Sequence, residues 1–154
     1  EAAIPGKGVD VFQLAMLWER SLILAPAPGI LDRLAEQLLE LSAKKIRNGN
    51  SLASDALFQK RISAVRLAAC KIREQIASAA LALDEDRAEI ALAARTKLNS
   101  SRLYEEASRT LLHLGGKEAF FSGSPWEENF RDSLASSLYS GANDRLEDIL
   151  EAMG

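Results

Sequence analysis

Apolar residues recur every three or four positions over most of the chain, which is the spacing of one face of an α-helix. Two long helices are predicted in this way, from Leu31 to about Asn48-Gly49 and from about Ile90 to Leu114. Between them lies the most regular stripe, whose apolar members step alternately by four and three residues: Phe58, Ile62, Val65, Ala69, Ile72, Ile76, Ala79 and Leu83. Such a stripe needs a groove on a partner helix to cover it.

Two prolines interrupt the apolar segment at the start of the chain. Because proline lacks an N–H and clashes with the preceding helical turn, Pro26 and Pro28 predict a short helix from Val9 followed by a kink. No run alternates apolar and polar residues between turn residues, so the sequence predicts no strand.

Turn residues also divide the C-terminal third of the chain. Gly115-Gly116 ends the third long helix, and Ser124 then predicts a new helix start as N-cap, with Glu127 closing a capping box. That helix stops at Tyr139, and a last short helix runs to the chain end. We therefore predict an all-α protein, an antiparallel helical bundle that forms one domain over residues 1–154.

Composition narrows the functional classes. A net charge of −3, with acids and bases mixed along the chain, provides no basic stripe for nucleic acid. The longest apolar run, Leu22 to Leu31, is well short of the roughly 20 residues that cross a bilayer, so we expect no membrane span. Cys70 is the single cysteine and cannot form a disulfide within the chain. These features favour a cytoplasmic location.

Two places in the sequence are candidates for a functional site: His113 and the pair Glu19-Arg20. His113 is the single histidine and has no second ligand at suitable spacing, so we expect no metal site and a histidine packed at a helix C-terminus. Glu19 and Arg20 interrupt an apolar stretch, and we expect this pair to be partly buried. A buried carboxylate is a suitable general base, but a structural Glu-Arg pair is the alternative reading.

Three stretches resemble, in the same order, segments of the acyl-CoA dehydrogenase family. The family's G-x-G turn, followed by a helix with an arginine after Glu, Thr or Gly, is matched by "GKGVDVFQLAMLWERSLILAPAPGIL". Its A-K-x-x-x-(S/G)-E helix with a closing glycine pair is matched by "AARTKLNSSRLYEEASRTLLHLGG", which includes Lys97. Its P-x-E-x-x-x-R-D segment before Y-E-G-T is matched by "PWEENFRDSLASSLYSGAND". The resemblance covers nearly the whole chain.

This resemblance implies the C-terminal four-helix bundle of a longer protein. In the family, flavin adenine dinucleotide (FAD) lies between the domains and across a dimer contact made by this bundle. A carboxylate removes the α-proton of an acyl-thioester while the β-hydrogen leaves as hydride to the flavin. We therefore expect FAD, an acyl-thioester substrate, an electron-transfer acceptor and a homodimer or tetramer. The isolated domain should be inactive.

The resemblance also assigns site residues. Most members place the catalytic glutamate where this chain has Ser140, and some branches place it before the arginine, at Glu19. We therefore expect Glu19 as the base and Arg20 to orient it. Tyr139, Ser140 and Gly141 should line the acyl-thioester pocket, with Ser140 a spacer whose change to alanine leaves activity largely intact. The resemblance assigns cofactor contacts to six positions: Lys45, Asn48, Leu112, Gly115, Gly116 and Ala142. The glycine pair matches the family, whereas Lys45, Asn48, Leu112 and Ala142 depart from its pattern.

Two other functions stay open at this stage. Because several cofactor positions differ from the family pattern, the chain could belong to a catalytically silent subunit whose bundle associates with an active homologue. A helical bundle unrelated to the family, acting as a binding module, is the third reading. Flavin content of the full-length protein would separate the first two.

Overall fold

The structure is a computed structural model that describes residues 7–47 and 49–153. It consists of six α-helices, two short 3₁₀ turns and one pair of two-residue strands. The helices are α1 Lys7–Leu22, α2 Ala27–Ala43, α3 Ala56–Asp84, α4 Ile90–Gly115, α5 Pro125–Ser136 and α6 Asn143–Met153. Helices α2, α3, α4 and α5 enclose the main core, and α1 and α6 pack on α4. The prediction of an all-α bundle is confirmed.

The stripe along α3 forms the centre of the core. All eight of its predicted apolar residues are buried, among them Ile62 at 1% exposure and Ile72 at 0%. The helix starts at Ala56 because Asp55 accepts a hydrogen bond from the Phe58 N–H at 2.9 Å, which satisfies one of the free donors of the first turn. Periodicity and cap chemistry therefore agree on this element.

The predicted break between the first two helices is present. Residues 23–26 form a turn, and α2 begins at Ala27, with Pro28 in its first turn. The predicted start at Leu31 was therefore four residues late, because proline is tolerated where helical N–H groups have no partner anyway.

The end of α2 differs from the prediction. The helix stops at Ala43 instead of at Asn48-Gly49, and an antiparallel pair of two-residue strands follows, Ile46–Arg47 with Asn50–Ser51. The Leu52 N–H donates to the Lys45 carbonyl at 2.7 Å, which draws the chain back, and Gly49 has a left-handed φ of 81° in the connecting turn. The prediction of no strand was wrong for this short pair.

Helix α5 starts where predicted but without the capping box. Ser124 precedes Pro125, yet its Oγ has no hydrogen-bond partner. The Glu127 side chain is instead paired with Arg131, one turn later, at 2.6 Å. The Ser124 N–H, which a capping box would bond to Glu127, donates instead to the Phe121 carbonyl at 3.0 Å.

The segment Gly8–Ala43 meets the length and composition criteria for a membrane-crossing helix. The sequence-based expectation of no membrane span considered only the shorter run from Leu22 to Leu31, and it stays a prediction. In the structure the segment bends at residues 23–26, and the apolar face of α2 lies in the core. Because the core helix of a soluble protein meets the same criteria, this segment is weak evidence for a membrane span.

Candidate active site

The junction between α5 and α6 has an unusual backbone. Ser140 and Gly141 both have positive φ angles, 56° and 99°. A serine seldom adopts this conformation, so surrounding contacts must hold it there. A Cβ at Gly141 would be in ordinary contact with an Arg20 guanidinium nitrogen, at 3.4 Å, so glycine suits this position because of its φ angle.

Consecutive residues near the end of α1 bind this junction. The Ser140 hydroxyl donates to Glu19 Oε1 at 2.7 Å, and Arg20 Nε donates to the Ser140 carbonyl at 3.0 Å. Glu19 and Arg20 are each about 120 positions from Ser140 in the sequence. The structure thus brings together Glu19 and the gap between the last two helices, as the sequence analysis expected.

Two details of that expectation were wrong. Glu19 is exposed rather than partly buried, because α1 covers the bundle with the side that carries the buried Ser21. Two residues are roughly 200° apart around a helix, so Glu19 lies on the opposite side. Arg20 does not pair with the Glu19 carboxylate among the described contacts and holds the Ser140 carbonyl instead. The serine hydroxyl, expected to be only a spacer, is the group that contacts Glu19.

A buried lysine on α4 binds the same junction from the core side. Lys97 is 1% exposed, and its Nζ donates to the Ser137 carbonyl at 3.1 Å, the Gly141 carbonyl at 2.8 Å and Asn143 Oδ1 at 2.8 Å. Burial, and then the positive charge of Arg20, lower the pKa of Lys97 to about 8. In the sequence, Lys97 is noticed only as part of a family motif, and these contacts were not predicted. Its spacing from Ala94 and Tyr104, which share the buried side of α4, was the available signal.

An open cleft of about 340 Å³ lies beside the junction. Ile23, Leu24 and Ile30 form its apolar wall, and Tyr139, next to Ser140, also lines it. Ile23 follows Glu19 by one helical turn, so the wall continues the side of α1 that carries the carboxylate. Glu19, Ser140 and Gly141 do not line the cleft themselves. A small apolar group in the cleft would instead contact Ile23 and Tyr139, which lie next to them in the chain or one helical turn away.

Tyr104 adds an uncharged polar group to the lining of the cleft. Its hydroxyl donates to Asn129 Oδ1 at 2.7 Å. Burial, and then the charge of Asp132, raise the pKa of Tyr104 to about 12, so the phenol keeps its proton at neutral pH. The negative charge in the lining of the cleft comes from Asp132, whose side chain is exposed.

The residues assigned to the cofactor do not lie together. Lys45 is exposed, and its Nζ is 2.8 Å from Glu118 Oε2, a contact that lowers the pKa of Glu118. Gly115 and Gly116 end α4 near this pair, roughly 27 Å along the helix from Lys97. Ala142 instead belongs to the α5–α6 junction, and Asn48 lies outside the described residues.

These residues supply few cofactor contacts. Leu112 is 4% exposed in the core and has no polar side-chain atom. Gly115 is explained by packing, because a Cβ there would come within 2.5 Å of Ala119 Cβ. Lys45 is the one assigned side chain with a charge, and Glu118 already binds it. The assigned positions therefore do not form a cofactor site by themselves.

His113 and the acidic residues show no metal chemistry. His113 lies in the last turn of α4, is exposed, and its ring is tilted against Phe120 with centroids 6.0 Å apart. Within residues 7–47 and 49–153, no group of three His, Cys, Asp or Glu side chains is placed to hold a metal ion.

Comparison with known proteins gives consistent matches. The family profile described as the acyl-CoA dehydrogenase C-terminal domain matches residues 6–153. L-prolyl-(peptidyl-carrier protein) dehydrogenase of Pseudomonas fluorescens is 25% identical over 145 residues, which are 94% of this chain and 38% of that protein. The chain thus spans well under half the length of that relative.

Solved structures share the fold. The prolyl acyl carrier protein oxidase AnaB superposes with a TM-score of 0.88 at 22% identity, over 96% of this chain and 39% of that one. Butyryl-CoA dehydrogenase from Megasphaera elsdenii superposes with a TM-score of 0.87 at 18% identity, again over 96% of this chain and 39% of that one. At these identities the likeness shows the fold.

Proposed function

Because the chain belongs to the acyl-CoA dehydrogenase family and matches its C-terminal domain, we propose that it is the C-terminal part of a flavin-dependent dehydrogenase of acyl-thioesters. Glu19 is the base that removes the α-proton. The observation that supports this proposal is the hydrogen bond from the Ser140 hydroxyl to Glu19 at 2.7 Å, since the family resemblance aligns Ser140 with the glutamate of most members.

The chain's own residues suit the proton transfer. Glu19 Oε1 accepts the Ser140 hydroxyl, so Oε2 is left to take the proton from the α-carbon. Arg20 fixes the Ser140 carbonyl and thereby the hydroxyl that orients the carboxylate. The β-hydrogen leaves with its electron pair as hydride, and a double bond forms between the α- and β-carbons. Flavin, when bound in the full-length protein, supplies the hydride acceptor.

The cleft suggests the size of the acyl group. Its volume of about 340 Å³ and the apolar wall of Ile23, Leu24 and Ile30 suit a short acyl chain or a small ring. The relatives support both kinds of thioester carrier, because one is named for a peptidyl-carrier protein and another for coenzyme A. We propose a short acyl-thioester on either carrier.

The remaining expectations are part of the same proposal. FAD as the cofactor, an electron-transfer acceptor, a homodimer or tetramer and a cytoplasmic location follow from the family resemblance. Lys45 and the exposed backbone of Gly116 are the described groups that could approach a cofactor held by other segments.

A silent subunit is the second candidate. It is favoured by the pairing of Lys45 with Glu118 and by the burial of Leu112, which leave the assigned cofactor positions poor in free donors. In that case the bundle would serve association with an active homologue, and the full-length protein would contain no flavin.

The test uses the full-length protein. We expect it to purify with bound flavin that is bleached by a short acyl-CoA or by a prolyl thioester on a carrier protein. The two substrates, assayed separately, identify the carrier. Glu19→Gln should abolish bleaching, because an amide cannot accept the proton, whereas Glu36→Gln, an exposed glutamate on α2, should leave it unchanged. Protein without flavin supports the silent subunit, and bleaching of the glutamine variant at the wild-type rate removes Glu19 from the mechanism.

A further inference from the structure

We propose that Lys97 is a positioning residue for the proton transfer, because its ammonium holds the α5–α6 junction in the shape that presents Ser140 to Glu19. The catalytic part of this proposal rests on the function proposed above. The structural part, that one buried cation stabilises the junction, can be tested without any substrate.

The three contacts of Lys97 enclose Ser140 on both sides. They reach Ser137, three residues before it, Gly141, directly after it, and Asn143, three residues after it. An ammonium group has three N–H donors, so each donor has one acceptor and none is left over. Lys97 therefore links both sides of Ser140, beside the backbone bond in which the Asn143 N–H donates to the Ser137 carbonyl at 2.9 Å.

Two cations share the strained backbone. Arg20 from α1 binds the Ser140 carbonyl, and Lys97 from α4 binds the Gly141 carbonyl that follows it. Successive carbonyls are thus held from two different helices. The positive φ angles of Ser140 and Gly141 are maintained by these contacts, since nothing in the local sequence except Gly141 favours them.

The charge of Lys97 has no carboxylate partner among the described residues. The groups that face it are the α5 C-terminal carbonyl of Ser137, the Gly141 carbonyl, the α6 amide of Asn143 and, from α1, the cation Arg20. The free carbonyls at a helix C-terminus favour a positive charge, which explains why the lysine is tolerated there. Burial and Arg20 nevertheless lower its pKa to about 8.

Loss of the proton has a local consequence. A neutral amine has two N–H donors for three acceptors, so one of the three contacts of Lys97 is lost above about pH 8. The Ser137 carbonyl and Asn143 Oδ1 also accept from other donors, whereas the Gly141 carbonyl has no other donor among the described contacts. In an opening that leaves Lys97 buried on α4 without these acceptors, the closed junction binds more protons than the open one, so we expect it to open more often as the pH rises through about 8. Global unfolding, which brings Lys97 into water, has the opposite dependence on pH.

Hydrogen exchange followed by mass spectrometry on the full-length protein tests this directly. We compare residues 137–143 with the core of α3, after correction for the intrinsic pH dependence of exchange. In the wild type, protection of residues 137–143 should fall by about fivefold as the pH passes 8, the change expected for one hydrogen bond of about 1 kcal/mol. Protection in α3 should not fall.

Matched variants complete the test. Lys97→Met should show low protection of residues 137–143 at every pH, whereas Lys60→Met, an exposed lysine on α3, should behave as the wild type. Unchanged junction protection in a folded Lys97→Met protein would overturn the proposal. If that variant does not fold, the wild-type titration decides, and a junction whose protection shows no step near pH 8 overturns it.

The catalytic role of Lys97 is tested by a separate measurement. In a flavin-loaded protein, the bleaching rate at saturating substrate should fall as the pH passes 8, and Lys97→Arg, which stays charged, should remove that step without changing flavin content. A step that persists in Lys97→Arg contradicts a positioning role. If no substrate is found but exchange shows the step, the proposed function fails and the structural role of Lys97 stands.

Discussion

The two ends of α4 carry very different polar chemistry. Near its N-terminal third, Lys97 is buried and joins a network that includes Arg20, Ser140 and Glu19 across more than 100 residues of sequence. At its C-terminal end, Lys45 forms an exposed ion pair with Glu118, beside glycines that are explained by packing and backbone geometry. Residues assigned to catalysis therefore lie in a connected site, whereas those assigned to the cofactor do not.

This difference has a physical origin. A buried cation must satisfy all its donors, because an unsatisfied polar group in the core costs about 1 to 3 kcal/mol. Exposed ion pairs carry no such requirement, because water can replace either partner. The first end should therefore respond strongly to substitution and to pH, and the second should not.

The largest expected effect is the pH dependence of stability caused by Lys97. Its pKa is lowered from 10.5 to about 8, so the unfolded chain binds more protons than the folded one between these values. The free energy of unfolding should therefore rise by up to about 3 kcal/mol from pH 8 to 10.5 relative to Lys97→Met, which lacks the titrating group. Denaturant unfolding of both proteins over this range measures the difference. Parallel curves for the two proteins would contradict the burial of this charge.

A smaller effect is expected at Ser140. Ser140→Ala removes the hydroxyl that Glu19 accepts, and we expect bleaching to slow by up to about fivefold, for one hydrogen bond of about 1 kcal/mol. This revises the sequence-based expectation that the change is nearly silent. Ser140→Gly removes the same hydroxyl but tolerates the positive φ, so it should slow bleaching equally without loss of stability. Stopped-flow flavin absorbance and thermal unfolding compare the two variants; wild-type rates in both would show that the hydroxyl does not orient Glu19.

The smallest effect belongs to the other end of α4. Lys45→Met breaks only the exposed pair with Glu118, so the midpoint of thermal unfolding should not change measurably. Calorimetry in low and high salt checks this. A clear loss of stability in low salt would mean that the two ends of the helix do not differ as described.

Much of the fold could be predicted from local pattern. The stripe of α3 and the turn before Pro28 depend on residues close in sequence, and both are present. The end of α2 was missed because it depends on the hairpin bond from the Leu52 N–H to the Lys45 carbonyl, which the spacing of apolar residues does not indicate. The missing capping box had a similar cause, since the Ser124 N–H donates to the Phe121 carbonyl.

The candidate site was less accessible to sequence reasoning. Pattern alone marked Glu19 as unusual, and only the family resemblance connected it with Ser140. Its exposure could not be foreseen, because the apolar residues around it do not show which side of α1 the bundle covers. The role of Lys97 depends on three acceptors from residues 40 to 46 positions away, which converge only in the folded chain.

The most direct test of the account is exchange of the substrate's α-hydrogen with solvent. The full-length protein, incubated in D₂O with a thioester that it accepts, should catalyse deuterium incorporation at the α-carbon, because Glu19 removes that proton reversibly. Glu19→Gln should retain bound flavin and the fold but show no incorporation by mass spectrometry. Incorporation by the glutamine variant at the wild-type rate would contradict the assignment of Glu19 as the base.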